Sequence, residues 1–174
     1  MSIQVTDLRN LIIRPTLERL NDWSLSAENL LLGTAALEST LGYRLTSDNG
    51  GLGIYAISPA AHIQVWDHFL VSDPETASLL RGLASQQQFL KCPHGELISN
   101  LSYASGVAWM IYKSHHVKLP DNTGIRDLAI AWLGCYSVRN NQVDQISFSD
   151  DAKIDKFMHH YRNLVLCENK NLAA

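Results

Sequence analysis

The chain has 174 residues and a formal net charge of −3, from 17 acidic against 14 basic side chains. Hydrophobic residues make up 46% and charged ones 18%, a globular composition with enough apolar surface for one core. With 10 Gly and 5 Pro the chain is neither collagen-like nor disordered, and the charge balance, without a Lys/Arg cluster, argues against nucleic acid as a partner.

The N-terminal stretch MSIQVTDLRN has no basic region leading into an apolar one, so no secretory signal is expected. Leu8, Leu11 and Ile12 have helical spacing, Pro15 interrupts, and Leu17 and Leu20 continue. This predicts a first helix that kinks or restarts at the proline. Ser26 can cap a second helix, with Glu28 in its first turn, running to about Leu41 where Gly42 ends it. Residues 30–37 of that helix are the richest apolar run, far short of the roughly 18 residues of a membrane span, so no membrane insertion is expected.

Residues 43–53, rich in Gly, Asp, Asn, Ser and Thr, read as an irregular loop or small hairpin, with room for a short strand within 52–57. Ser58-Pro59 starts a helix to about Leu70, and Asp73-Pro74-Glu75 another to about Leu90. Leu97, Leu101, Ala104, Ala108 and Ile111 mark one further helical face. Residues 125–138 read as another helix, strongly apolar. The last helix starts at Ser149 with Asp150 and Asp151, and its apolar face carries Ile154, Phe157, Met158, Tyr161, Leu164 and Val165. The expectation is a mainly α single domain over residues 1–174, with about seven helices around a small loop or hairpin region. Trp66, Trp109 and Trp132 fall on apolar helical positions and read as core.

Cys92, Cys135 and Cys167 are too few and odd in number for a disulfide framework, and read as reduced, buried thiols. Cys92-Pro93-His94 is the only close Cys/His grouping, with no matching second half, so no metal site is expected. The pairs His115-His116 and His159-His160 point in different directions on a helix and read as solvated faces.

The residue that carries chemistry is Glu38. It follows an apolar run near the C-terminal end of a buried helix. Burial and the negative end of the helix dipole both disfavour its anion and raise its pKa. A carboxylic acid kept protonated near neutral pH can donate a proton to a leaving oxygen. The plainer alternative is a solvated glutamate or one half of an ion pair.

Ala36-Leu37-Glu38-Ser39-Thr40-Leu41-Gly42, followed by Gly53-Ile54-Tyr55-Ala56-Ile57-Ser58-Pro59-Ala60-Ala61, resembles the first two motifs of lytic transglycosylases and goose-type lysozymes. A group of bacteriophage proteins with this lysozyme-like pattern is more similar still. The resemblance rests on Arg14-Pro15-Thr16-Leu17-Glu18-Arg19-Leu20 and on Glu28-Asn29-Leu30-Leu31-Leu32-Gly33-Thr34-Ala35-Ala36. Two weaker pieces are residues 111–120 and Phe157-Met158-His159-His160-Tyr161-Arg162. The pieces span nearly the whole chain, and the block 28–42 is the specific one.

The resemblance implies a lysozyme-like fold and cleavage of the β-1,4 bond between N-acetylmuramic acid and N-acetylglucosamine in peptidoglycan, with Glu38 as general acid. It needs no cofactor and no metal. A transglycosylase uses the muramic acid 6-hydroxyl as nucleophile; a hydrolase uses water and a second carboxylate, for which Asp48 is the nearby candidate. Ser39, Asp48, Tyr55, Ala56 and Tyr161 are the implied substrate-side residues, Tyr161 as a group that orients Glu38. Two readings compete for some of them: Asp48 as a turn residue beside Asn49-Gly50, and Tyr55 and Tyr161 as core. Ala56 stands where the family has a glycan-binding Gln, Ala61 where it has Thr, and Ala131-Trp132-Leu133-Gly134 lacks the Asn of the third motif. The alternative is therefore a catalytically degenerate virion or tail component whose partners are other phage proteins. An enzyme made in the cytosol would reach the wall in a phage particle or through a membrane pore made by another protein.

Overall fold

The computed structural model describes residues 2–137 and 150–167. Helix α1 spans residues 5–19 as Val5–Asp7, a π-helical Leu8–Ile13 and Arg14–Arg19. The chain does not restart at Pro15. The proline has no N–H to give to the preceding turn, and the helix passes it by widening to π geometry just upstream.

Helix α2, Leu25–Ser39, is buried on all sides from Leu30 to Ala36 and packs against α1, α7, α8 and α9. Its cap is Ser24, not Ser26: Ser24 is extended (φ −147°, ψ 157°) and its Oγ accepts from the Ala27 N–H at 3.1 Å. Ser26 is already helical, and its hydroxyl turns to the carbonyls of Pro120 and Asp121. Glu28, wholly buried in the first turn, accepts from Arg9, from Arg14 Nε at 2.9 Å and from Trp23 Nε1 at 3.0 Å. These three donors hold its carboxyl below the ordinary carboxylate range, against the opposing effect of burial.

The end of α2 is tightly wound. Thr40, Leu41 and Gly42 are all left-handed (φ 53°, 55° and 81°), and the Leu41 N–H closes back on the Ala35 carbonyl at 3.0 Å. Ser39 bolts this turn in place. Its buried hydroxyl donates to the Ile54 carbonyl at 2.6 Å and accepts from the Gly42 N–H at 2.9 Å. Ser39→Ala is expected to cost about 1–2 kcal/mol, because it leaves the buried Ile54 carbonyl and the half-buried Gly42 N–H without that partner; chemical denaturation measures the loss.

The loop that follows forms no strand. Thr46 pairs with Leu52, and Leu52 with Ile57, as isolated antiparallel bridges. Gly53 (φ +72°) is required here, since a Cβ would come within 1.8 Å of the Leu97 carbonyl oxygen. Helix α3 covers residues 59–72, as Pro59–Gln64, π-helical Val65–Phe69 and 3₁₀ Leu70–Ser72, with Ser58 as its cap.

The helix expected over 74–90 is two: α4, Pro74–Arg81, and α5, Gln86–Lys91. Gly82 ends the first, and Ser85 caps the second by accepting from the Gln88 N–H. The next expected face is also broken. A short α6, with 3₁₀ Pro93–Gly95 and then Glu96–Ser99, precedes α7, Leu101–Ser114. Asn100 makes the break. It is extended, caps α7 through the Tyr103 N–H, and donates its amide to the Leu83 carbonyl and to Glu96.

Helix α8 spans residues 125–137, as Ile125–Trp132 and π-helical Leu133–Ser137, and α9 spans 150–166, as Asp150–His160 and π-helical Tyr161–Leu166. The expected helix boundaries at Val138 and Ser149 lie outside the described residues. The described residues thus hold nine helical segments where about seven are expected, and the extra ones come from the breaks after Arg81 and at Asn100.

The buried side chains of these helices form one contiguous core around α2 and α7. Helix α9 crosses α2 closely at Gly33, where a Cβ would sit 2.3 Å from Phe157 Cζ and 2.9 Å from Tyr161 Cδ2. Among the cysteines only Cys135 is buried; Cys92 and Cys167 are exposed, contrary to the reading of all three as buried thiols. No helix among the described residues is long and apolar enough to cross a membrane.

Candidate active site

Glu38 lies in the last turn of α2, partly open to solvent, where the buried helix reaches the surface. Its Oε1 accepts a hydrogen bond from Trp132 Nε1 of α8 at 3.0 Å. The Lys156 ammonium of α9 supplies a nearby positive charge. Burial nevertheless outweighs both and pushes the Glu38 pKa up to about 7. Near neutral pH the group is therefore shared between acid and anion, which suits it both to give and to take a proton.

Beneath it lie two tyrosines whose own pKa values are raised, first by burial and also by the charge of Glu38. Tyr112 of α7 and Tyr136 of α8 stack with ring centroids 5.5 Å apart. Neither hydroxyl is turned to Glu38. Tyr112 pairs with Thr34 Oγ1 at 2.7 Å, and Tyr136 donates to the Tyr55 carbonyl at 2.6 Å. They form a rigid floor under the carboxyl.

The other sequence-predicted site residues are distributed unevenly. Ser39 is next to Glu38, but its hydroxyl is spent inside the protein on Ile54 and Gly42. Tyr55 is fully buried and pairs with Ser105 at 2.9 Å, so its ring does not face a sugar. Ala56 is buried in a left-handed turn (φ 46°) and exposes almost no side chain. Asp48 sits on the loop with its carboxylate almost wholly in water, 4.0 Å from Arg44.

Tyr161 is placed away from Glu38. It stacks on Phe157, flanks Gly33 and lies beside Arg9, which in turn holds Glu28. Glu28 and Glu38 are ten residues apart on α2, about 15 Å along the helix axis. The register of α9 on α2 therefore aims Tyr161 at the Glu28 end and brings Lys156 to the Glu38 end.

Trp132 is core, as its spacing predicts, and its N–H also serves the site; nothing in the sequence marks Lys156, Tyr112 or Tyr136 as belonging there. For Trp132 a signal existed: an indole N–H in an apolar stripe needs an acceptor.

A second polar cluster lies elsewhere. His62 of α3, 2% exposed, hydrogen-bonds Tyr103 through Nε2 at 2.6 Å and His94 through Nδ1 at 2.9 Å. Trp66 Nε1 donates to the same Tyr103 hydroxyl at 2.8 Å. Burial, with the neighbouring His94, lowers the His62 pKa to about 4. The unfolded chain takes up that proton near pH 6.5 and the folded one only near 4, so the His62 contribution to stability is lost as pH drops through this window. The expected loss is about 2–3 kcal/mol. Glu38 contributes with the opposite sign over the same window, so the readout is the difference between proteins: in denaturation curves His62→Gln should gain about 2–3 kcal/mol on the wild type between pH 7 and 4.5.

No group of three or more His, Cys, Asp or Glu among the described residues is arranged to hold a metal ion.

No family model matches the chain. Neither does any curated protein or solved structure.

Proposed function

We propose that the protein cleaves the β-1,4 bond between N-acetylmuramic acid and N-acetylglucosamine in peptidoglycan, with Glu38 as general acid and then base. The observation that carries this reading is a half-buried glutamate, its pKa held near 7 at the end of a buried helix. The resemblance of residues 28–42 and 53–61 to lytic transglycosylases and goose-type lysozymes supports the choice of substrate, and a lysozyme-like fold is part of the same proposal.

In the proposed reaction, protonated Glu38 gives its proton to the glycosidic oxygen as the bond to the muramic acid C1 breaks. The Glu38 carboxylate then takes a proton from the attacking hydroxyl. If that hydroxyl is the muramic acid 6-OH, the product carries a 1,6-anhydro ring and no second carboxylate is required. If it is water, the product has a reducing end, and a second carboxylate such as Asp48 would assist. Asp48 is solvated and paired only loosely with Arg44, which favours the intramolecular route. Delivery to the wall in a phage particle belongs to this proposal and rests on the resemblance alone.

One observation favours the rival reading of a degenerate virion or tail component. Ile54, Tyr55, Ala56 and Ile57 are all buried, so the second motif offers a glycan backbone atoms rather than side chains. Digestion of purified sacculi, with the released muropeptides read by mass spectrometry, decides between them. Anhydro ends mark a transglycosylase, reducing ends a hydrolase, and intact sacculi at high protein concentration a structural role.

A further inference from the structure

We propose that Trp132 is a positioning residue for Glu38, its indole N–H fixing which carboxyl oxygen carries the proton to be transferred. The proposal rests on the reading of Glu38 as the acid. An indole N–H can only donate. Its bond to Oε1 at 3.0 Å therefore makes Oε1 an acceptor and leaves the acid hydrogen to Oε2. The indole is itself immobilised. It is 7% exposed and packs on Phe157 of α9 with ring centroids 5.8 Å apart.

The other groups facing Glu38 do not compete for this task. Tyr112 and Tyr136 spend their hydroxyls on Thr34 and on the Tyr55 carbonyl. Lys156 is exposed and acts on Glu38 through its charge. Orientation thus comes from Trp132, and Lys156 adds field without direction. When the proton leaves Oε2, negative charge spreads to Oε1, and the Trp132 contact becomes a charge-assisted hydrogen bond. The same contact that aims the acid also steadies the anion it becomes.

The test uses the whole protein labelled with ¹⁵N and with ¹³C at glutamate carboxyls. In the wild type the Trp132 Nε1–H resonance is expected to shift with the same midpoint as the Glu38 carboxyl. In Glu38→Gln, which keeps an oxygen acceptor, that resonance should stay flat with pH. Trp132→Phe keeps an aromatic ring and removes the donor. It should raise the Glu38 midpoint, move the upper limb of the pH–rate profile with it, and lower kcat on sacculi about tenfold with KM little changed, the size of one charge-assisted hydrogen bond. Lys156→Gln should also move the limb upward, with the Trp132 Nε1–H resonance still following the Glu38 midpoint.

A Trp132 resonance that ignores the Glu38 titration overturns the proposal. So does a Trp132→Phe protein with the wild-type midpoint and kcat. If Trp132→Phe does not fold, the comparison of wild type with Glu38→Gln decides alone. If wild type cleaves nothing, the glycan reading fails, while the paired titration still decides whether Trp132 holds Glu38.

Discussion

Glu38→Gln is expected to make the protein more stable at pH 8 while removing the proposed glycan cleavage. The folded-state pKa of Glu38 is raised to about 7, from an ordinary value of 4.5. The folded protein therefore binds this proton more tightly than the unfolded chain does. Its stabilising contribution is complete below pH 4.5 and is lost as pH rises through 7. Above pH 7 the wild type holds a carboxylate that its surroundings disfavour, by about 3 kcal/mol. Glutamine has the same shape, keeps an acceptor for Trp132 Nε1–H and carries no charge. Urea denaturation should thus show the variant more stable at pH 8 and nearly equal to wild type at pH 4. Catalysis should fall by about 10²- to 10⁴-fold, the usual contribution of a positioned acid. Stability gained on removing a group is the mark of a site shaped for something other than folding.

Glu28→Ala should have the opposite character, a large loss of stability with no gain at any pH. Glu28 is wholly buried and answers Arg9, Arg14 and Trp23 at once. Removing it leaves two guanidinium groups facing each other without their counter-charge. Breaking a buried ion pair from one side costs about 3–5 kcal/mol, a fall of roughly 10 °C in Tm for a chain of this length. The Glu28 pKa is lowered, so its contribution is present above the ordinary carboxylate pKa and fades as pH falls below it. Thermal melts of wild type and variant should therefore converge in acid. A difference under about 1 kcal/mol at pH 7 would mean the arginines find water at no cost.

The two glutamates of α2 show what could be read from the sequence and what could not. The apolar run between them announces a buried helix, and a carboxyl at its end announces a raised pKa. Those inferences need only neighbours in the chain. The partner of Glu38 was not legible, because Trp132 lies 94 positions away and looks like any core tryptophan until α8 is docked. The aim of Tyr161 depended on the register of α9 against α2, which is set where Gly33 lets Phe157 in. Ser24 and Ser26 are equally good caps by type. The choice fell to the carbonyls of Pro120 and Asp121, far along the chain, which claim Ser26. Nothing near Asn100 in the chain interrupts the helical spacing of its neighbours, yet its amide ties Leu83 and Glu96 together and splits a helix in two. Buried side chains with one polar atom are where chain-local reasoning stops, since burial forces a partner without naming it.

The central claim is that Glu38 is the acid of a glycan-cleaving site, and digestion of purified sacculi by wild type and Glu38→Gln side by side tests it most directly. The account predicts soluble muropeptides from the wild type, with a rate that declines as pH rises through about 7, and none from a folded Glu38→Gln protein. Equal release by both proteins, or none by either across pH 5 to 8 (about the range in which such an acid operates), would contradict it.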